Sequence, residues 1–140
     1  MKILKTKIHR VKDFKYSFFC ITAADDGYVR LWDKILPNEL TTKWPHDIYN
    51  RPPVTALEVI FYTPYVLTGG VDRIVNQYNY IDRSLVYQYI FHQQVVRDII
   101  WVHFSPNFIT LSRDRRIAIW DKDTQERKES AVLPTLENTY

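Results

Sequence analysis

Three times along this chain a Thr is followed four residues later by an Asp and six residues after that by an aromatic residue: Thr22, Asp26 and Trp32; Thr68, Asp72 and Tyr78; Thr110, Asp114 and Trp120. The units step along the chain by 46 and then 42 residues. A period of this length marks a supersecondary unit that cannot bury its hydrophobic face alone and must stack on its neighbours. Trp32-Asp33 and Trp120-Asp121 close the first and third units, and Tyr78-Asn79 closes the second in the same register. Upstream, "VKDF" from Val11, "VTAL" from Val54 and "VRDI" from Val96 read as the shared opening of each unit.

Each unit resolves into strands. An alternating run begins at Val11, Val54 or Val96, and Thr63-Pro64 and Ser105-Pro106-Asn107 are breakers after the second and third of these runs. A second run ends at the Thr, a tight Asp-bearing turn follows, and a third run ends at the aromatic. A fourth, weaker strand fits at about 40–44, 85–90 and 128–133. Ten Tyr, seven Phe and four Trp against three Gly favour pleated, half-buried surfaces over helix or disorder. The expected class is all-β, one domain over 1–140, with repeats at approximately 8–44, 51–90 and 92–133.

These features resemble the WD40-repeat β-propeller family, whose unit of 40 to 45 residues carries a "GH…WD" signature and four strands per blade. The third unit is the fullest match, with His92, Val96, Thr110, Asp114 and Trp120-Asp121 in the family's order. The resemblance implies a structural clamp in which His, Ser/Thr, Asp and Trp form a hydrogen-bonded chain. Those roles fall on Thr22, Asp26 and Trp32 in the first unit and on His92, Thr110, Asp114 and Trp120 in the third. The first unit has no well-spaced His, since His9 lies two residues before Val11 whereas His92 lies four before Val96. The second is expected to have an incomplete clamp, because the "PHDIYNRPP" loop separates His46 from Val54.

Propellers close with about four to eight blades, so three four-stranded antiparallel blades form a fragment with open faces. The expectation is completion by another chain, by a symmetry mate or by sequence missing from this one. Met1 to Thr6 would then supply a strand to an adjacent blade, and Pro45 to Pro53 is a candidate contact loop.

In this family partners commonly meet the face from which the Asp-bearing turns emerge. The corresponding positions are Arg10, Lys12 and Asp25; Pro53, Thr55 and Val71; and Val95, Arg97 and Arg113. Four of the nine are cationic, and Arg73, Arg115 and Arg116 in the turns add to a basic face suited to carboxylate or phosphate. The expected function is a non-catalytic scaffold for protein–protein interaction in a larger assembly, its partners being the chains that close the propeller. An acidic, phosphorylated or RNA-bearing partner fits the basic face. The alternative is a ribonucleoprotein component, for example of ribosome assembly, that touches phosphates directly.

Other classes find less support. His9, His46, His92 and His103 show no metal-ligand spacing, and no glycine-rich phosphate loop, nucleophile elbow or paired-carboxylate motif is present, so neither enzyme, metal, cofactor nor small-molecule substrate is expected. Cys20 is alone, which excludes an intrachain disulfide and suits an intracellular protein of cytoplasm or nucleus. The start "MKILKTKI" is too lysine-broken for a signal sequence, and Pro64, Gly69 and Gly70 interrupt the most apolar stretches, so no membrane span is expected.

Overall fold

The structure is a computed structural model that describes residues 6–13, 19–35, 40–47 and 50–134. Among the described residues, twelve strands form three four-stranded antiparallel sheets, each a meander in chain order. Sheet one holds β1 (Ile8–Asp13), β2 (Phe19–Ala24), β3 (Tyr28–Asp33) and β4 (Leu40–Pro45). Sheet two holds β5 (Val54–Val59), β6 (Tyr65–Gly70), β7 (Ile74–Asn79) and β8 (Ser84–Ile90), and sheet three holds β9 (Val96–Trp101), β10 (Asn107–Ser112), β11 (Arg116–Asp121) and β12 (Arg127–Val132).

The repeated polar residues are the turn chemistry. Asp26, Asp72 and Asp114 each accept, through Oδ1, the backbone N–H two residues on, at 3.2, 3.3 and 3.3 Å. Such an Asx turn mimics a backbone turn and lets the chain reverse tightly. The next residue lies at positive φ in every copy: Gly27 at 82°, Arg73 at 71° and Arg115 at 68°. Only the first copy has glycine there, and it has a second reason: a Cβ on Gly27 would stand 2.4 Å from the carbonyl oxygen of Arg51. The closing residue of each unit repeats the device, with Asp33, Asn79 and Asp121 accepting from the N–H of Ile35, Ile81 and Asp123 at 2.8, 2.9 and 2.8 Å.

The core lies between the sheets. Ile21, Leu31, Trp44, Leu57, Val66 and Tyr78 fill the space between sheets one and two, and Leu67, Val75, Tyr89, Ile99, Phe108 and Trp120 fill that between sheets two and three. Alternation along each strand sends one set of side chains to each neighbour. Sheet two is therefore covered on both faces, while sheets one and three each pack on one side only.

The pairing corrects the opening of the first unit. Ile8 opposes Ala24 as Val54 opposes Gly70 and Val96 opposes Ser112, each just ahead of a register shift. Ile8, not Val11, is therefore the counterpart of Val54 and Val96. Val11 corresponds to Leu57 and Ile99, yet it is 60% exposed where they are 0%. Without a neighbouring sheet beyond it, β1 is not forced to alternate, and its periodicity gave no phase. The expectation for Met1 to Lys5 lies outside the described residues, as do 48 and 49 of the candidate contact loop.

Candidate functional site

The clamps come first, because they fix the turns that carry the surface. In sheet three, Trp120 Nε1 donates to Thr110 Oγ1 at 3.0 Å, and His92 Nε2 is hydrogen-bonded with the same oxygen at 2.7 Å. Burial holds the His92 imidazole below its ordinary pKa, with the nearby Asp114 charge opposing that effect. Asp114 does not reach the histidine by a hydrogen bond: it accepts from Ser112 Oγ and pairs with Arg116 at 3.2 Å, and His92 Nδ1 has no hydrogen-bond partner among the described residues. The Ser112 bond leads the causes that keep the Asp114 carboxyl below the usual range.

Sheet two holds the connected relay, contrary to expectation. His46 is completely buried; its Nε2 donates to Asp72 at 3.1 Å and its Nδ1 accepts from Thr68 Oγ1 at 2.7 Å. With a carboxylate oxygen as its acceptor, Nε2 is the donor of this pair, and Nδ1 can accept from the hydroxyl. Tyr78, in the Trp position, donates to the His46 carbonyl at 2.8 Å, and Asn76 Nδ2 does the same at 2.7 Å. Burial pushes the Tyr78 hydroxyl up to about 12. Gly70 leaves room for this network, since a Cβ there would lie 3.0 Å from Asp72 Oδ1 and 3.3 Å from the His46 ring.

Sheet one uses a different cation. Trp32 Nε1 donates to Thr22 Oγ1 at 2.9 Å, as in sheet three. Arg30, 5% exposed, grips both oxygens of Asp26, with Nη1 at 3.0 Å from Oδ1 and Nη2 on Oδ2. Burial opposes ionisation of Asp26, but the Arg30 and Tyr28 hydrogen bonds outweigh it and hold its carboxyl below the usual range. No histidine enters this clamp; His9 is bound instead to Asp25 at 2.5 Å.

The turns so fixed place five of the nine candidate partner residues around one depression. Arg10, Thr55, Val95, Arg97 and Arg113, joined by His9, line a hollow of about 440 Å³ to which all three sheets contribute. The ends of the inner strands are tied to the turns: the N–H groups of Asp25, Val71 and Arg113 donate to the carbonyls of Lys7, Pro53 and Val95 at 2.8, 3.2 and 2.9 Å. Arg10 Nη2 reaches across to the Arg97 carbonyl at 2.8 Å, and Thr55 Oγ1 donates to the Val96 carbonyl at 2.6 Å. Arg97 and Arg113 are exposed and form no ion pair among the described residues. Their cationic forks are thus available to an acidic group.

The remaining candidates lie apart from this hollow. Lys12 sits farther along β1 with Nζ 3.8 Å from Glu58, which belongs to the three-residue shift of register. Pro53 and Val71 stay at the sheet two turn, and Asp25 is the partner of His9. Of the turn arginines, Arg116 is engaged by Asp114, whereas Arg73 and Arg115 are exposed. Sequence reasoning missed His9 at the rim because it sits at the register shift equivalent to Thr55 and Arg97, a place hidden by the choice of Val11 as origin. Among the described residues no group of three or more His, Cys, Asp or Glu is placed to hold a metal ion, and no helix is long and apolar enough to cross a membrane.

Comparison with known proteins agrees with this geometry. The model of the family described as WD domain, G-beta repeat matches residues 5–33 and 83–121. The crystal structure of RRP9 WD40 repeats superposes with a TM-score of 0.86 at 13% identity, over 94% of this chain and 40% of that one. The structure of U3-55K superposes at 0.83 with 14% identity, over 94% of this chain and 41% of that one. The chain thus spans about two fifths of the length of these structures. No curated protein matches it in sequence.

Proposed function

From a chain that carries WD40 repeats and folds as three four-stranded propeller blades, we propose a non-catalytic intracellular scaffold that holds a protein partner over the basic hollow at its inner rim. The WD40 fold is that of a protein-interaction scaffold, and its propellers are generally non-catalytic. The observation that carries the reading is the convergence of Arg10, Arg97, Arg113 and His9 from blades one and three around one concavity, with Thr55 of blade two between them. The partner segment is acidic or phosphorylated, since two exposed guanidinium groups offer bidentate contacts without displacing an internal carboxylate. The three blades, read as a single unit over 1–140, form part of a larger ring.

The arginines also suit an RNA-bearing partner. Among the described residues the lining contains no Phe, Tyr or Trp on which a base would stack, which favours the protein reading. Fluorescence anisotropy with a phosphoserine-containing acidic peptide and with generic single-stranded RNA separates the two. The expected result is peptide binding that requires the phosphoserine, falls less steeply with salt than RNA binding, and is weakened about tenfold or more by Arg97→Glu with Arg113→Glu, as loss of a charge-assisted contact implies. Steeply salt-dependent RNA binding would support the alternative, because phosphate contacts release counterions. Unchanged affinity for both probes in the double variant would remove the hollow from the function.

A further inference from the structure

A second concavity lies at the end of the sheets opposite the basic hollow. The β5–β6 hairpin turns through residues 60–65, between the paired Val59 and Val66, and the β9–β10 hairpin turns through 102–107, between the paired Trp101 and Phe108. Both turns are closed in the same way: the N–H of Thr63 donates to the Ile60 carbonyl at 3.3 Å, and that of Ser105 to the Val102 carbonyl at 3.2 Å. The third residue of each lies at positive φ, Tyr62 at 64° and Phe104 at 60°. Such a turn favours glycine or asparagine there, because a Cβ is crowded in the left-handed region. Both hairpins place an aromatic ring instead, and the two residues are 83% and 91% exposed.

The outer hairpins of the same two blades also carry positive φ at this end, but at polar residues, Arg83 and Gln125. The aromatic choice belongs to the inner hairpins, and blades two and three stand side by side over a shared core. A hollow of about 320 Å³ opens there, lined by Tyr62 and Phe104 together with Phe61 and Trp101, whose rings meet edge to face at 5.7 Å. Left-handed backbone at a bulky residue is strained, and rings this exposed recover little through packing within the chain. Strain of this kind, repeated at matching places on one hollow, points to a ligand.

The polar groups of the lining are already engaged. Thr63 Oγ1 donates to the Ile60 carbonyl at 2.8 Å and accepts from the Tyr65 N–H, and Ser105 Oγ donates to the Val102 carbonyl at 2.7 Å and accepts from the Asn107 N–H. Trp101 Nε1 donates to the Ser105 carbonyl at 3.0 Å, and the Pro106 carbonyl accepts from the Lys122 N–H at 2.9 Å. A peptide that turned its backbone N–H groups into this hollow would leave them unpaired. Proline has no N–H, and a run of prolines is already extended, so it settles on aromatic rings without that penalty. The rim adds a charge preference. Lys122 Nζ lies 2.9 Å from Asp123, but the Lys122 side chain is 12% exposed and that of Asp123 61%. What the pair presents to a ligand is therefore the carboxylate, which suits a flanking Lys or Arg and repels a phosphate backbone.

We propose that this hollow docks a proline-rich segment of a partner protein, with prolines against Tyr62 and Phe104 and a flanking basic residue at Asp123. The surface lies wholly within blades two and three and shares no lining residue with the basic hollow. It goes beyond the reading above by adding a second contact, at the other end of the blades and with the opposite charge preference.

Fluorescence anisotropy of the full chain with a labelled polyproline peptide carrying an N-terminal arginine tests the proposal. The expected result is saturable binding, weakened about tenfold or more by Tyr62→Gly with Phe104→Gly, and weakened less by Asp123→Asn or by glutamate in place of the peptide arginine. Glycine suits both φ values, so the double variant should keep the urea midpoint of the parent, which separates loss of the rings from loss of the fold. Tyr62→Asn with Phe104→Asn, also at ease in the left-handed region, is the second variant and should lose binding equally. Absence of binding overturns the proposal, as does unchanged affinity in both double variants or equal binding of a peptide with alternate prolines replaced by alanine. Tighter binding of single-stranded RNA than of the peptide overturns it too. Arg97→Glu with Arg113→Glu should leave the polyproline affinity unchanged, so the two surfaces stand or fail separately.

Discussion

His46 and His9 show how little a residue's identity says about its work until its partners are known. His46 is buried between Thr68 and Asp72, whereas His9 is hydrogen-bonded with the half-exposed Asp25. Replacing His46 with Ala takes a partner from the buried Thr68 hydroxyl and leaves Asp72 with its turn N–H from Ile74, and should cost about 1–3 kcal/mol. His9→Ala should fall within about 0.5 kcal/mol of the parent, as surface substitutions do. Urea unfolding of both variants checks the contrast, and equal losses would contradict it. The turn Asp residues were legible because an Asx turn requires that residue type in that place, and Thr22, Thr68 and Thr110 through their constant spacing from them. His46 was not legible, because the distance to the following strand was taken as the constraint. What fixes a clamp histidine is its position just beyond the preceding strand, which His46 and His92 share despite loops of different length. Arg30 was equally hidden, since nothing in its spacing from Asp26 distinguishes a clamp from a solvated turn residue.

Strands with one covered face announced themselves; strands with none did not. The third runs and the Thr-bearing second runs were legible in all three units, since each buries apolar side chains against a neighbouring sheet, on alternate residues in β10 and on nearly every residue in β2 and β6. The inner strand β1 lost its phase at Val11, and with it the placement of Lys12, because half of its surroundings are missing. The outer strands are nearly featureless: β12 is exposed throughout, and β8 buries only Tyr89. That single residue joins two blades through ring contacts with Phe108 and Trp120, and its hydroxyl donates to Gln77 Oε1 at 2.6 Å. Burial also raises its pKa far above the ordinary value, so it remains a donor. Tyr89→Ala should destabilise the fold by about 3–5 kcal/mol, the range for removing a buried large aromatic side chain. Val86→Ala on the same strand, at an exposed position, should cost little. Chemical denaturation of the pair measures the difference, and similar values would show that the outer strand does not tie the blades together.

At the scale of the whole molecule, coverage ranks the blades. Blade two has a core cluster on each side, and blades one and three have one apiece. Native-state hydrogen exchange should therefore be slowest in β5 to β7 and fastest in β12, whose residues are all exposed. Uniform protection across the three blades would contradict this ranking. The direction in which the histidines are handed over bears on how the chain is made. His46 precedes Thr68 and Asp72, and His92 precedes Thr110, while the Arg30 lock on Asp26 calls on no other blade. A ribosome releasing this polypeptide always delivers the bolt before the socket. Each clamp can close as soon as its own blade's strands emerge, so no turn is left waiting for a bolt that has yet to be translated.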